Sequence, residues 1–302
     1  MASTLKHKTL LHLIILMWGF TGILGKLIHL EAFIIVWYRV VIAFVALGIG
    51  MLLLNKSFQV KHTSELIKIG AVGVLVGLHW LTFYKAIQLS TASFGVLCLS
   101  TTALHVSWIE PIVMKRRTSW LEVVFGLIVV FGIYIVSADF DKNDSDALVY
   151  GLFSALFAAG FAVFNTKLAE KNTSSQISFY EMLSASIFIS IVLLFQGRLD
   201  FHVLKMTYSD FWWLLFLGVL CTSFAFLAMV EIMKALGAFT VSLSINLEPI
   251  YTFILAIFIL NENEVLGFNF YAGSAIILLV VLTNAVIKSI TKRRNVGFLF
   301  DD

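Results

Sequence analysis

Glu248 and Pro249 stand side by side in an apolar run that reads as a membrane helix over 238–260. About ten residues into a helix rising 1.5 Å per residue, the carboxyl lies roughly 15 Å deep, near a bilayer midplane. An ionisable group there costs about 2.5–3.5 kcal/mol on insertion scales unless it is wet or paired. Pro249 cannot donate to the helix ladder. The pair therefore predicts a helix break that frees a backbone carbonyl beside a carboxylate, the discontinuity used at solute sites inside membranes. The plainer alternative is a kinked packing helix whose Glu bonds a neighbouring hydroxyl.

Other polar side chains fall at similar depth. His79 is followed by Trp80 and Phe83, and His79 and Phe83, four apart, share a helix face. Thr101, Thr102 and His105 form a polar patch on the next run. Asn246 precedes Glu248, and Tyr251 lies on its face one turn later. Imidazole can bind a solute, relay protons or bond a backbone carbonyl, and for a single histidine the last is the commoner role. Arg39 and Glu181 are further intramembrane charges, each preceded by a tyrosine. Arg39 suits an anionic group; snorkelling towards an interface is the competing reading for both. No Cys, Asp or third His has metal-ligand spacing, so no metal and no cofactor is expected. Cys98 and Cys221 sit in apolar runs as small hydrophobes.

The composition supplies the elements that hold these residues. Of 302 residues, 60% are hydrophobic and 13% charged, with mean hydropathy +0.97. A soluble globule cannot hide that much apolar surface, so the solvent is lipid. In lipid, runs such as 125–131 must be helical, because an open strand leaves backbone groups unpaired. Spans are predicted at 9–28, 33–54, 66–88, 91–114, 119–137, 147–168, 176–196, 211–234, 238–260 and 267–288. The N-terminal run has no small-residue cleavage pattern and reads as the first span. With the N-terminus inside, 15 of the 21 Lys and Arg fall on the inner face and 6 on the outer. That asymmetry predicts both termini in the cytoplasm. The acidic segment with Asp139 and Asp144, and Glu262 with Glu264, then face outward. The net charge of +3 is small and implies no nucleic-acid partner.

The two halves repeat. Gly19-Phe20 and Lys26-Leu27 match Gly160-Phe161 and Lys167-Leu168 at offset 141. Tyr38-Arg39 matches Tyr180-Glu181 at 142, Gly73-Val74-Leu75 matches Gly218-Val219-Leu220 at 145, and Gly126 matches Gly273 at 147. Lys85-Ala86-Ile87 matches Lys234-Ala235-Leu236 at offset 149. Ordered matches at a slowly drifting offset mark a repeat. Five spans is an odd number, so the second half enters the membrane from the opposite side. The expected fold is an all-α membrane protein, ten transmembrane helices as two inverted five-helix repeats, over 1–137 and 147–288, with a cytoplasmic tail at 289–302. Such a repeat lets one asymmetry be exchanged between two access states, which favours a transporter. Gly70, Gly73 and Gly77 predict a close-packed face on the third span. Glu231 and Lys234 read as a local pair, and Lys115, Arg116 and Arg117 as a topology anchor.

Trp18-Gly19-Phe20, Lys85-Ala86-Ile87, Asn246-Leu247-Glu248-Pro249, Glu262 and the Gly273 helix resemble the EamA-type drug/metabolite transporter superfamily over nearly the whole chain. The resemblance implies ten helices, cytoplasmic termini and a central cavity used to export amino acids or other metabolites. One departure is that Thr101-Thr102 occupies the place of Glu248-Pro249 in the first half, which carries Glu110-Pro111 lower down.

No G-x-x-x-x-G-K-[ST] loop is present, so energy comes from a gradient or transport is passive. No His-Glu-x-x-His or Gly-x-Ser-x-Gly supports an intramembrane enzyme. A structural or sensory membrane protein would not need an inverted repeat. The expectation is a secondary transporter of a small metabolite in the inner membrane. Its partners are the solute, the lipid bilayer and protons as the candidate coupling ion. Its cavity is lined by His79, Trp80, Phe83, Thr101, Thr102, His105, Asn246, Glu248 and Tyr251. Glu248, Arg39 and Glu181 are the candidates for a charge or proton role.

Overall fold

A computed structural model describes residues 2–115, 120–139, 141–198, 205–236, 244–245 and 247–297. Those residues are helical throughout their regular elements: α1 Ala2–Leu27, α2 Ala32–Leu53, α3 Thr63–Leu89, α4 Ala92–Leu99, α5 Thr102–Met114, α6 Trp120–Val136, α7 Lys142–Leu168, α8 Ser174–Phe195, α9 Tyr208–Leu215, α10 Ala225–Leu236, α11 Glu248–Leu260 and α12 Phe268–Gly297. A π-helical segment, Phe216–Phe224, joins α9 to α10. Among the described residues seven helical stretches are long and apolar enough to cross a membrane, and Val123–Val136, Glu248–Leu260 and Phe268–Asn284 are shorter apolar helices. Asn246, Arg116, Arg117 and the side chains of Glu231 and Lys234 lie outside the described residues.

The helices pack mainly across the two halves. α3 lies on α7 and α8, while the repeat equivalents of α3, the π segment and α10, lie on α1 and α2. α4 and α5 pack on α7, and their equivalent α11 packs on α1. α6 and α12, equivalents of each other, pack together, as do α2 and α8. Exchanging the halves maps each of these pairs onto another of them, as expected of a two-fold repeat. The largest apolar cluster runs through both halves and includes Ile35, Val40, Val76, Tyr84, Met182, Ile189, Leu217 and Cys221.

Glycines set the closest approaches. A Cβ on Gly73 would stand 2.5 Å from the Glu181 carbonyl oxygen, and one on its equivalent Gly218 would stand 2.6 Å from Ile42 and 3.4 Å from the Arg39 carbonyl oxygen. Arg39 and Glu181 are themselves equivalents, so one contact is the counterpart of the other. Gly77 faces Ala185 and Ile189, and the Ser184 hydroxyl donates to the Gly70 carbonyl at 2.7 Å. The glycine stripe of α3 is its face against α8. Because the Gly73 Cβ would meet backbone, no side-chain rotation relieves it. Gly73→Ala is expected to lower the melting temperature in detergent by several degrees, consistent with an overpacking cost of about 1–3 kcal/mol. An unchanged melting temperature would mean that α3 and α8 are not in backbone contact.

Two spans differ from the sequence expectation. The run 91–114 is interrupted: the amides of Ser100 and Thr101 bond back to Leu97 and Cys98 at 3.0 Å each, and α5 starts at Thr102. The Thr101 hydroxyl donates to the Cys98 carbonyl at 2.7 Å. Hydroxyl side chains that bond nearby carbonyls compete with the helix ladder, and three of them in a row stand here. The second correction concerns Pro249. It occupies the first turn of α11, which begins at Glu248. A proline there loses no helix bond and disrupts none, so it marks a helix start rather than a kink. Helices thus begin within one residue of equivalent places in the two halves, at Thr102 and Glu248.

Candidate functional site

Arg39 is the centre of the best-defined polar group inside the bundle. It sits two turns into α2 and is 4% exposed, so it does not snorkel. Its Nε donates to the Thr222 hydroxyl at 3.1 Å and its Nη1 to the Tyr84 hydroxyl at 3.3 Å. The guanidinium carbon lies 3.8 Å from the centre of the Trp80 ring and 6.0 Å from that of Tyr84. Trp80 and Tyr84 are four apart on α3 and present one aromatic face. A guanidinium over an indole is the strongest cation–π arrangement, and it is worth more when water is excluded.

The π segment supplies the third wall. Within it the hydroxyls of Thr222 and Ser223 donate to the carbonyls of Leu217 and Gly218, five residues back, at 2.8 and 2.9 Å. Ser223 also donates to Ala43 of α2 at 3.2 Å, and Trp18 Nε1 of α1 donates to the Cys221 carbonyl at 3.2 Å. The segment is therefore tied to α1 and α2 and turns Thr222 towards Arg39. Single π turns occur often at functional sites.

Glu248 provides the opposite charge. It is half-buried in the first turn of α11, where a carboxylate is favoured by the helix dipole. Glu248 and Arg39 carry opposite charges. They form no direct ion pair among the described residues. Thr252, one turn on, donates to the Gly19 carbonyl of α1 at 3.1 Å and holds α11 against it.

The other expected residues are placed as follows. His79 is turned to α7: its Nδ1 lies 2.8 Å from the Ser154 hydroxyl and 3.0 Å from the Ser154 carbonyl, and its ring stacks on Phe83. That is the hydrogen-bonded packing role. Phe83 is buried beside Tyr84. Tyr251 bonds His12 of α1 at 2.9 Å. His105 faces Trp108 on α5, and neither of its buried ring nitrogens has a partner. Thr101 is buried at the α4–α5 junction and Thr102 is half-buried. Among the described residues no contact joins Thr101, Thr102 or His105 to the Arg39 group. Glu181 is 1% exposed, its backbone lies against Gly73, and its Oε1 has no partner among the described residues. It does not meet Arg39. Among the described residues no group of three His, Cys, Asp or Glu side chains could hold a metal.

Tyr84 and Thr222 were not singled out by sequence. The four-residue step from Trp80 to Tyr84 was a usable signal. The π segment, which aims Thr222, left none. Glu262, expected in a loop on the outer side of the membrane, is a residue whose partners sequence reasoning missed. It is 4% exposed, and its carboxylate accepts from the amides of Ala92 and Ser93 at 2.7 and 3.0 Å. A carboxylate at a helix N-terminus satisfies otherwise orphaned donors. Lys26 bonds the Ser90 carbonyl nearby and feels the Glu262 charge.

A family model described as the EamA-like transporter family matches residues 8–138 and again 146–286. A protein known from a crystal structure that carries no functional description is similar in fold, with TM-score 0.64 and 14% sequence identity over 95% of this chain and 98% of the other. No curated protein matches the chain in sequence.

Proposed function

The chain belongs to the EamA-like transporter family, a family of membrane transporters rather than enzymes, and from that premise we propose that it moves a small zwitterionic metabolite of the amino-acid type. The observation that carries the reading is the Arg39 group itself, a buried guanidinium held by Thr222 and Tyr84 over Trp80, in a bundle that also carries the acidic Glu248 at the start of α11. Arg39, oriented by Thr222 and Tyr84 and backed by Trp80, takes the solute carboxylate through its planar donors. Glu248 takes the ammonium. Aromatic walls with a few fixed polar groups suit a small amphipathic solute. Phe83 and His79 support Trp80 from the α7 side, while Thr101, Thr102, His105, Asn246 and Tyr251 extend the lining.

The protein works as a secondary transporter by alternating access, exporting its solute across the inner (cytoplasmic) membrane. Its ten spans form inverted repeats over 1–137 and 147–288, followed by a cytoplasmic tail at 289–302. Glu248 carries the coupling proton, since a carboxyl that releases the ammonium is free to protonate. The symmetric packing partners and the odd span count per half support the inverted arrangement, and the basic inner face supports the orientation. Cysteine placed at Ser145 is expected to react with an impermeant label in whole cells, and cysteine at Lys292 only after permeabilisation. The reverse pattern would invert the topology.

Counterflow in liposomes tests the function. Vesicles holding purified protein and an unlabelled mixture of neutral amino acids are expected to accumulate labelled amino acid saturably. Equal flux in protein-free vesicles across a panel of such solutes would overturn the reading.

A further inference from the structure

We propose that a groove between the start of α3 and the end of α7, lined by none of the Arg39 group, binds an anionic phospholipid. The groove has a volume of about 550 Å³ and is lined by neither Arg39 nor Glu248. Its rim is basic. Lys68, Lys167 and Lys171 line it together with only two carboxylates, Glu65 and Glu170. Glu65 is already engaged, since Lys68 bonds it at 2.8 Å and Lys171 adds its charge. Below the rim the walls are apolar, formed by Val72, Leu75 and Phe164. From Lys68 to Leu75 the trough descends roughly 10 Å along α3 at 1.5 Å per residue.

This layout has a direction. Lys68 lies in the second turn of α3, Lys167 in the last turn of α7 and Lys171 just beyond it, so they stand at the level where a membrane meets water. The trough runs from them towards the bilayer interior. A ligand that fits must carry a negative head and an apolar tail in that order, which is the anatomy of a phospholipid. A free phosphate would leave the trough empty. A zwitterionic headgroup would gain nothing from the excess lysine. Under the orientation proposed above, this rim faces the cytoplasmic leaflet, where anionic lipids attract basic clusters and where basic pockets between helices bind their headgroups. The site is separate from the solute site, so either assignment can fail without the other.

Native mass spectrometry of the delipidated full-length protein tests it, with phosphatidylglycerol and phosphatidylcholine of the same acyl chains. Wild type is expected to retain phosphatidylglycerol about tenfold better than phosphatidylcholine. Lys167 and Lys171 are exposed, so K167Q/K171Q should fold normally and bring the two lipids level. Leu75→Trp, which fills the trough, should reduce both, and inorganic phosphate in excess should displace neither. Three results would overturn the proposal: equal retention of both lipids by wild type, undiminished phosphatidylglycerol on K167Q/K171Q, or its displacement by phosphate, which would mark a small-anion site.

Discussion

Arg39→Lys is expected to lower transport, read as kcat/KM in proteoliposomes, by roughly a hundredfold while the protein still elutes as a folded species. The size follows from what the change removes. Truncating one partner of a buried, hydrogen-bonded charge pair costs about 2–5 kcal/mol. Lysine keeps the charge but loses the planar donors that meet Thr222 and Tyr84, and it loses the face that lies over Trp80. Thr222→Val, which removes the acceptor at Arg39 Nε, should give a smaller loss in the same direction. Wild-type transport by Arg39→Lys would make the arginine a packing element of α2.

Glu248→Gln is expected to lower transport of a zwitterion by a comparable factor, about thirtyfold or more. It is also expected to flatten the pH dependence of what remains. Glutamine keeps the shape and the place at the start of α11, so the helix start and the Thr252–Gly19 bond survive. Only the charge and the titration are lost. If the variant transports normally and keeps its pH dependence, Glu248 is structural and the ammonium is bound elsewhere.

Much of the architecture was legible because lipid leaves a chain few options. A long apolar run in a bilayer is helical, and the repeat offsets pair residues that the fold then treats alike. Gly73 lies against Glu181 and Gly218 against the Arg39–Ile42 stretch, so a match of letters became a match of contacts. The glycine stripe on α3 was read as packing and faces α8. The details that shape the site were hidden for a common reason, in that each depends on partners distant in sequence or on small competitions along the backbone. The interruption at Ser100-Thr101 arises because hydroxyls outbid the ladder locally. The π segment has no compositional mark. Glu262 was read only for the side of the membrane it faces, and its bonds to the start of α4 needed the fold. Among the candidate residues, Arg39, Trp80 and Glu248 were singled out from the sequence as ionisable or aromatic groups inside apolar runs. Their association with Tyr84 and Thr222 needed the fold. His79 shows the converse, since the sequence places a polar ring at depth but only the structure supplies Ser154 as its partner.

The most direct test of the central claim is inhibition of counterflow by three analogues of one transported amino acid: the intact zwitterion, the acid lacking the amine, and the amine lacking the carboxylate. Wild type is expected to be inhibited strongly by the zwitterion alone. Arg39→Lys should lose most of its preference for the zwitterion over the amine, and Glu248→Gln most of its preference for the zwitterion over the acid. Analogue preferences that are the same in wild type and both variants would contradict a site in which Arg39 and Glu248 hold opposite ends of the solute.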